Sequence, residues 1–206
     1  MSLKNSAISG AKWNFVANAG GYFISFFLSI DLARLLEPEE FGLIGMLTIF
    51  IVVARTFIDA GLSTAIVRAK TVTQEDLTTV FYFNMLVSLA FYFILFFTAH
   101  LIAGFYNQPT LVPLIRLISL LFVFGAFSII QNTLLIRGMN FKKQSIIILI
   151  SLSVSVIISI IMAYRGYGVY SIVGQSLSQN LVSSILFWVT STWRPKGGFN
   201  KSSFKK

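Results

Sequence analysis

The chain has 206 residues, of which 56% are hydrophobic and only 11% charged, and its mean hydropathy is +0.81. So apolar a composition excludes a water-soluble domain and makes the lipid bilayer the solvent. Cysteine is absent, which excludes disulfide frameworks, thiolate metal sites and cysteine nucleophiles, and the net charge of +9 reads as basic loops facing anionic lipid, with no nucleic-acid partner.

A bilayer core of roughly 30 Å takes about 20 apolar residues per helix, and six such runs follow one another, predicting an all-α polytopic bundle over residues 13–192. The first, 13–36, is too long for a signal-peptide core and lacks a small-residue cleavage site, so it reads as a retained helix behind a cytoplasmic segment, 1–12. The second, 39–67, opens at Pro38, Glu39 and Glu40, where proline suits a first turn and carboxylates suit the positive end of the helix dipole. The third, 77–105, follows a polar linker in which Thr73 and Asp76 have capping-box spacing. Asn107, Gln108 and Pro109 break the chain before the fourth, 110–136. The fifth, 144–164, is joined by Gly166, Tyr167 and Gly168 to the sixth, 169–192, and 193–206 is a basic tail or linker.

Lysine and arginine set the orientation. Twelve of the sixteen lie on one set of helix ends, including Lys4, Lys12, Arg68, Lys70, Arg137, Lys142, Lys143, Arg194 and Lys196. By the positive-inside rule those ends, with both termini, are cytoplasmic, whereas Glu37, Glu39 and Glu40 fall in the first external loop.

Polar residues inside the hydrocarbon carry the functional reading. Asn14, Asn18, Gly21, Ser25 and Ser29 share one face of the first helix, and Thr48, Arg55, Asp59 and Ser63 share one face of the second. Two striped helices imply a shared polar interior, to which Asn84, Gln131, Asn132, Gln175 and Gln179 are added as lining residues. Interhelical hydrogen bonding is the plain alternative for the uncharged members. Arg55 is different, because an ionised group at that depth costs roughly 2.5 to 3.5 kcal/mol. It reads either as an anion-binding residue held ready by Asp59 or as half of a structural ion pair. Ser151, Ser155, Ser159 and Ala163 make a small-residue seam on the fifth helix, read as packing. His100 stands near an external helix end without carboxylates at ligand spacing, so no metal, cofactor or catalytic constellation is expected.

Several words along the chain carry a family resemblance: Leu32 to Leu36 with Pro38 to Gly42, Asp59 to Ser63, Phe105 with Pro109, Leu134 to Arg137 with Phe141, Gly166 to Val169, and Trp193 to Pro195. In their order and spacing the chain resembles the oligosaccharide flippases, the Wzx-type exporters of the multidrug/oligosaccharidyl-lipid/polysaccharide superfamily, especially the colanic-acid and teichuronic-acid branch. Asp31 departs from the pattern, standing where an apolar residue is expected. The resemblance implies export of undecaprenyl-pyrophosphate-linked oligosaccharide across the bacterial plasma membrane by alternating access, and a coupling ion, proton or sodium, stands among the candidate partners. It also implies that these six helices are one half of a transporter of twelve or more, completed by a second six-helix bundle beyond Lys206 or by a homodimer partner. Two alternatives stay open: half of a cation-coupled drug antiporter, or a non-transporting scaffold for glycan assembly.

Overall fold

The computed structural model describes residues 3–59 and 62–197. It is built of helices α1 (Leu3–Leu35), α2 (Pro38–Asp59), α3 (Leu62–Arg68), α4 (Gln74–Phe105), α5 (Leu111–Ile118), α6 (Leu120–Arg137), α7 (Phe141–Tyr164) and α8 (Tyr170–Thr190). Among the described residues, four segments are long and apolar enough to cross a bilayer: Lys12–Leu35, Gln74–Phe105, Leu111–Arg137 and Phe141–Tyr164. With large apolar side chains bare on their outer faces, such as Tyr22 at 77% and Phe105 at 81% exposure, they mark a multi-pass membrane protein. Helices α2 and α8 have span length, 22 and 21 residues, but amides at Gln175, Gln179 and Asn180 dilute the apolar character of α8. The expectation of six spans thus meets four that qualify by length and composition.

Several boundaries differ from those expected on the sequence. Helix α1 begins at Leu3 rather than near Trp13, projecting beyond its apolar part. The run 39–67 is described as α2 and α3, with Ala60 and Gly61 between them outside the described residues. The run 110–136 is divided into α5 and α6 at Ser119, whose hydroxyl donates back to the Arg116 carbonyl at 2.9 Å, a bond that competes with regular helix geometry. Helix α4 starts at Gln74 because Thr73 Oγ1 accepts from Asp76 N at 3.2 Å while Asp76 Oδ2 accepts from Thr73 N at 3.0 Å, a complete capping box.

Packing is organised around α7, α8 and α6. Helix α7 lies against both α1 and α8, and α6 lies against α4, α8 and α3. The α7 seam is buried as expected, with Ser159 Oγ donating to Ser171 O of α8 at 3.0 Å, so small side chains let these two helices approach closely. One apolar cluster joins Leu28, Leu32 and Leu36 to Leu152, Val156 and Ala163. A larger one gathers Leu47, Leu95, Leu111, Leu114, Phe122 and Val173.

The two ends of the bundle differ in chemistry. At one, Arg137 donates to the carbonyls of Ile66, Ala69 and Lys70, capping α3, and Lys143 donates to Thr190 O. Gln74 bonds Arg194 O and Thr78 bonds Lys196 O, so loops bearing the basic residues 68–70, 137–143 and 194–196 meet in one collar. At the other, Glu40 Oε1 accepts from Val169 N at 2.8 Å and Oε2 from Glu37 N at 3.1 Å, clamping the α7–α8 turn to the start of α2.

That clamp explains why glycine stands at 168. Its φ is +52°, and a Cβ there would collide with the Glu40 carboxylate, whereas Gly166, at φ +78°, has open space around the same position. Gly168→Ala is expected to destabilise the fold by more than the roughly 1–3 kcal/mol of left-handed strain that Gly166→Ala incurs alone. Thermal unfolding in lipid nanodiscs checks this; equal midpoints for the two variants would mean that the clamp contributes nothing.

Candidate functional site

Helix α1 presents its stripe at the edge of its contact with α7. Gly21 lies on the seam, a Cβ there being 3.7 Å from Leu152, and Ser25 is half-buried beside it. Asn14 and Asn18 are exposed and bond each other, Asn18 Nδ2 donating to Asn14 Oδ1 at 3.3 Å. Among the described residues, that single bond leaves three amide N–H donors and the Asn18 oxygen without a side-chain partner, in a stretch otherwise made of Phe15, Val16, Ala17 and Ala19. On α2, Thr48 is exposed as well, its hydroxyl donating to Ile44 O at 2.8 Å. Arg55 and Asp59 lie in the last turns of α2, and their side chains are outside the described residues; Ser63, on α3, is half-buried.

The remaining candidates divide into sealed and half-open. Asn84 and Ser88, one turn apart on α4, are both 0% exposed, and among the described residues neither the Asn84 amide nor the Ser88 hydroxyl has a hydrogen-bond partner. They sit in sequence between buried Leu77 and Phe81 toward the basic end and Leu95 and Ala99 toward the other. Gln131, 1% exposed, lies against Trp188 of α8: with its amide nitrogen turned to donate to Phe127 O at 3.0 Å, its oxygen comes within 3.3 Å of Trp188 Nε1, whose proton goes to the same Phe127 carbonyl at 2.6 Å. Asn132 is half-buried and accepts from Gln144 Nε2 at 2.8 Å, tying α6 to α7. Gln175 and Gln179 are half-buried on α8. The packing therefore bonds Asn132 across to α7 and sets Gln131 against Trp188 of α8, the plain alternative for both, while α1 leans on α7 and α2 on α4 and α6.

Two features were not legible in the sequence. Arg116 stacks over Phe96 with its guanidinium carbon 4.4 Å from the ring centroid, which shelters the charge where α5 meets α4. An aromatic cluster of Phe81 with Phe127, Trp188 and Trp193, centroids 5.9 to 6.2 Å apart, floors the basic collar. The tryptophans near a run of basic residues were the available signal for the second.

Comparison with known proteins places this architecture. A family model described as "Polysaccharide biosynthesis protein" matches residues 32–206. The chain belongs to that family. Among curated relatives it is 28% identical over 188 residues to a succinoglycan biosynthesis transport protein of Rhizobium meliloti (strain 1021), an alignment covering 91% of this chain and 38% of the relative. It is 30% identical over 147 residues to a lipopolysaccharide biosynthesis protein of Escherichia coli (strain K12), covering 71% and 30% respectively. A teichuronic acid biosynthesis protein of Bacillus subtilis (strain 168) is 26% identical over 215 residues, covering 99% of this chain and 43% of that one. The chain thus spans well under half the length of these relatives. No solved structure matches it significantly.

Proposed function

We propose that this chain forms one wall of a flippase that moves undecaprenyl-pyrophosphate-linked oligosaccharide across the bacterial plasma membrane for surface polysaccharide synthesis. Membership of a polysaccharide biosynthesis family, with a relative named for succinoglycan transport, supports the substrate class. The observation that carries the reading is the open face of α1: Asn14 and Asn18 are exposed on a helix that must cross lipid. An amide group left unpaired against hydrocarbon costs several kcal/mol, and the one bond between these two leaves most of their donors open, so that face needs water and an opposing wall. A flippase supplies both, because the polar headgroup crosses in a wet cleft while its lipid tail stays in the bilayer. The opposing wall is a second six-helix bundle or a second copy, and alternating access is rocking of one against the other around the substrate. Arg55 is the residue assigned to the pyrophosphate, with Asp59 beside it and Asn14, Asn18, Ser25, Thr48 and Ser63 as the wet face. The role is transport, not catalysis.

Six crossings with both ends in the cytoplasm complete the reading, the basic collar being the cytoplasmic end. Two measurements test it together. Disrupting the gene is expected to halt surface polysaccharide and leave lipid-linked repeat units accumulating on the inner face. In a chain without natural cysteines, introduced cysteines at Lys70 or Lys143 are expected to resist a membrane-impermeant thiol reagent in intact cells, whereas those at Glu37 or Gln108 react. Labelling at Lys70 or Lys143 would reverse the orientation, and repeat units reaching the outer face in the disrupted strain would end the transport assignment.

A further inference from the structure

A second site lies away from the α1 and α2 faces. Between α6 and α8 runs an apolar groove of about 390 Å³, with Phe124 and Phe127 on one wall and Leu181, Ile185 and Val189 on the other. The last three recur every four residues, so they form one stripe along about 12 Å of helix, a length set by the 1.5 Å rise per residue. The stripe is open: Ile185 is 52% and Val189 74% exposed.

Polar atoms within the walls are turned away from the groove. Ser184 Oγ donates to Phe124 O at 2.8 Å and Trp188 Nε1 to Phe127 O at 2.6 Å. Both bonds pin α8 to α6 and leave only hydrocarbon and ring surface to line the space.

At its mouth the chemistry changes abruptly. Trp188 lies at the collar end of the groove, and the Arg194 guanidinium stacks on its ring, 5.1 Å from the centroid. Arg194 NH1 donates to Ser191 O and Trp193 O, and NH2 to Trp188 O at 3.0 Å. Those bonds fix the exposed cation and use three of its five N–H groups, leaving two to meet an anion. Lys143, bonded to Thr190 O, adds a second charge beside the end of α8.

We propose that this groove is a binding site for one anionic glycerophospholipid of the leaflet that borders the basic collar, its acyl chain along Leu181 to Val189 and its phosphate at Arg194. Charge complementarity decides between lipid classes. The apolar stripe suits any acyl chain, but a fixed guanidinium at its mouth favours a net negative headgroup over a zwitterionic one, where the phosphate charge is balanced by an ammonium.

The chain has three tryptophans, so Trp13→Phe with Trp193→Phe leaves Trp188, itself a wall of the groove, as the sole indole emitter. In phosphatidylcholine nanodiscs, phosphatidylglycerol with brominated acyl chains is expected to quench Trp188 with about fivefold preference over brominated phosphatidylcholine, the size one cation near a membrane surface gives. Arg194→Gln should bring the two lipids to parity, Arg194→Lys should keep most of the preference, and Ile185→Phe, which fills the groove, should weaken quenching by both. If Arg194→Gln loses helicity by circular dichroism, raised ionic strength in the parent protein tests the same charge, since screening should erode the preference. Equal quenching by the two lipids, or a preference that survives both Arg194→Gln and high salt, overturns the proposal. So does displacement of either brominated lipid by undecaprenyl phosphate at equal strength, which would give the groove to a substrate tail. Shielding of Trp188 from both lipids in a particle of dimer mass would give it to a second copy.

Discussion

Replacing Arg55 with alanine is expected to cut export by roughly 10- to 150-fold, the equivalent of the 1.5–3 kcal/mol that a charge-assisted hydrogen bond contributes. Arg55 belongs to the last turns of α2, on the same sequence stripe as exposed Thr48. A guanidinium binds two phosphate oxygens in a fixed plane, whereas an ammonium acts as a point charge, so Arg55→Lys should retain part of the activity. Protein abundance in the membrane should hold in both variants. The rival ion-pair reading makes the opposite forecast: Arg55→Ala would strand the Asp59 carboxylate and lower abundance, and changing both to alanine would restore export. Measuring abundance beside export for the singles and the double separates the two, and a double variant that exports normally ends the pyrophosphate assignment.

Asn84→Leu is expected to do two things at once: raise the thermal midpoint and depress export. A buried amide without a partner costs about 1–3 kcal/mol, and leucine keeps the same branched four-atom skeleton, somewhat bulkier, without that penalty. For a chain of this size each kcal/mol shifts the midpoint by about 2 to 4 °C. Asn84 and Ser88, fully buried one turn apart with no hydrogen-bond partner among the described residues, form a polar step inside the bundle that stability alone does not justify. On the proposed flippase reading, such a step would let α4 exchange partners during the transport cycle, which is why its removal is expected to depress export. A variant that is more stable and exports as before would make the step incidental, and a lower midpoint would show that Asn84 is satisfied in the membrane. Ser88→Ala provides the smaller companion change.

Features governed by neighbouring residues were legible in the sequence. The Thr73–Asp76 box is local, so its spacing named the start of α4 to within a turn. The serine seam of α7 has one dominant use in hydrocarbon, and the structure buries all four of its members against neighbouring helices. The turn at Gly166 to Gly168 followed from glycine's access to positive φ. Glu40 shows where such reasoning stops: the carboxylate looked like a dipole partner for its own helix, yet it binds Val169 N, 129 residues away. Nothing local encodes that encounter.

Composition and periodicity thus determined that this chain is a helical membrane protein and which ends of its apolar runs carry the basic residues, because hydrocarbon forces every backbone polar group into a helix and leaves charge to the ends. Only the tertiary structure decided which polar stripes are sealed and which are open. Asn84 and Gln131 are enclosed while Asn14, Asn18 and Thr48 stay bare, and α1 chose α7 as its neighbour. Lipid is as apolar as leucine, so no hydrophobic gain selects one helix pairing over another; close fit between side chains does, as at the serine seam of α7 or where Trp188 meets Phe127, and that fit exists only once the helices are placed.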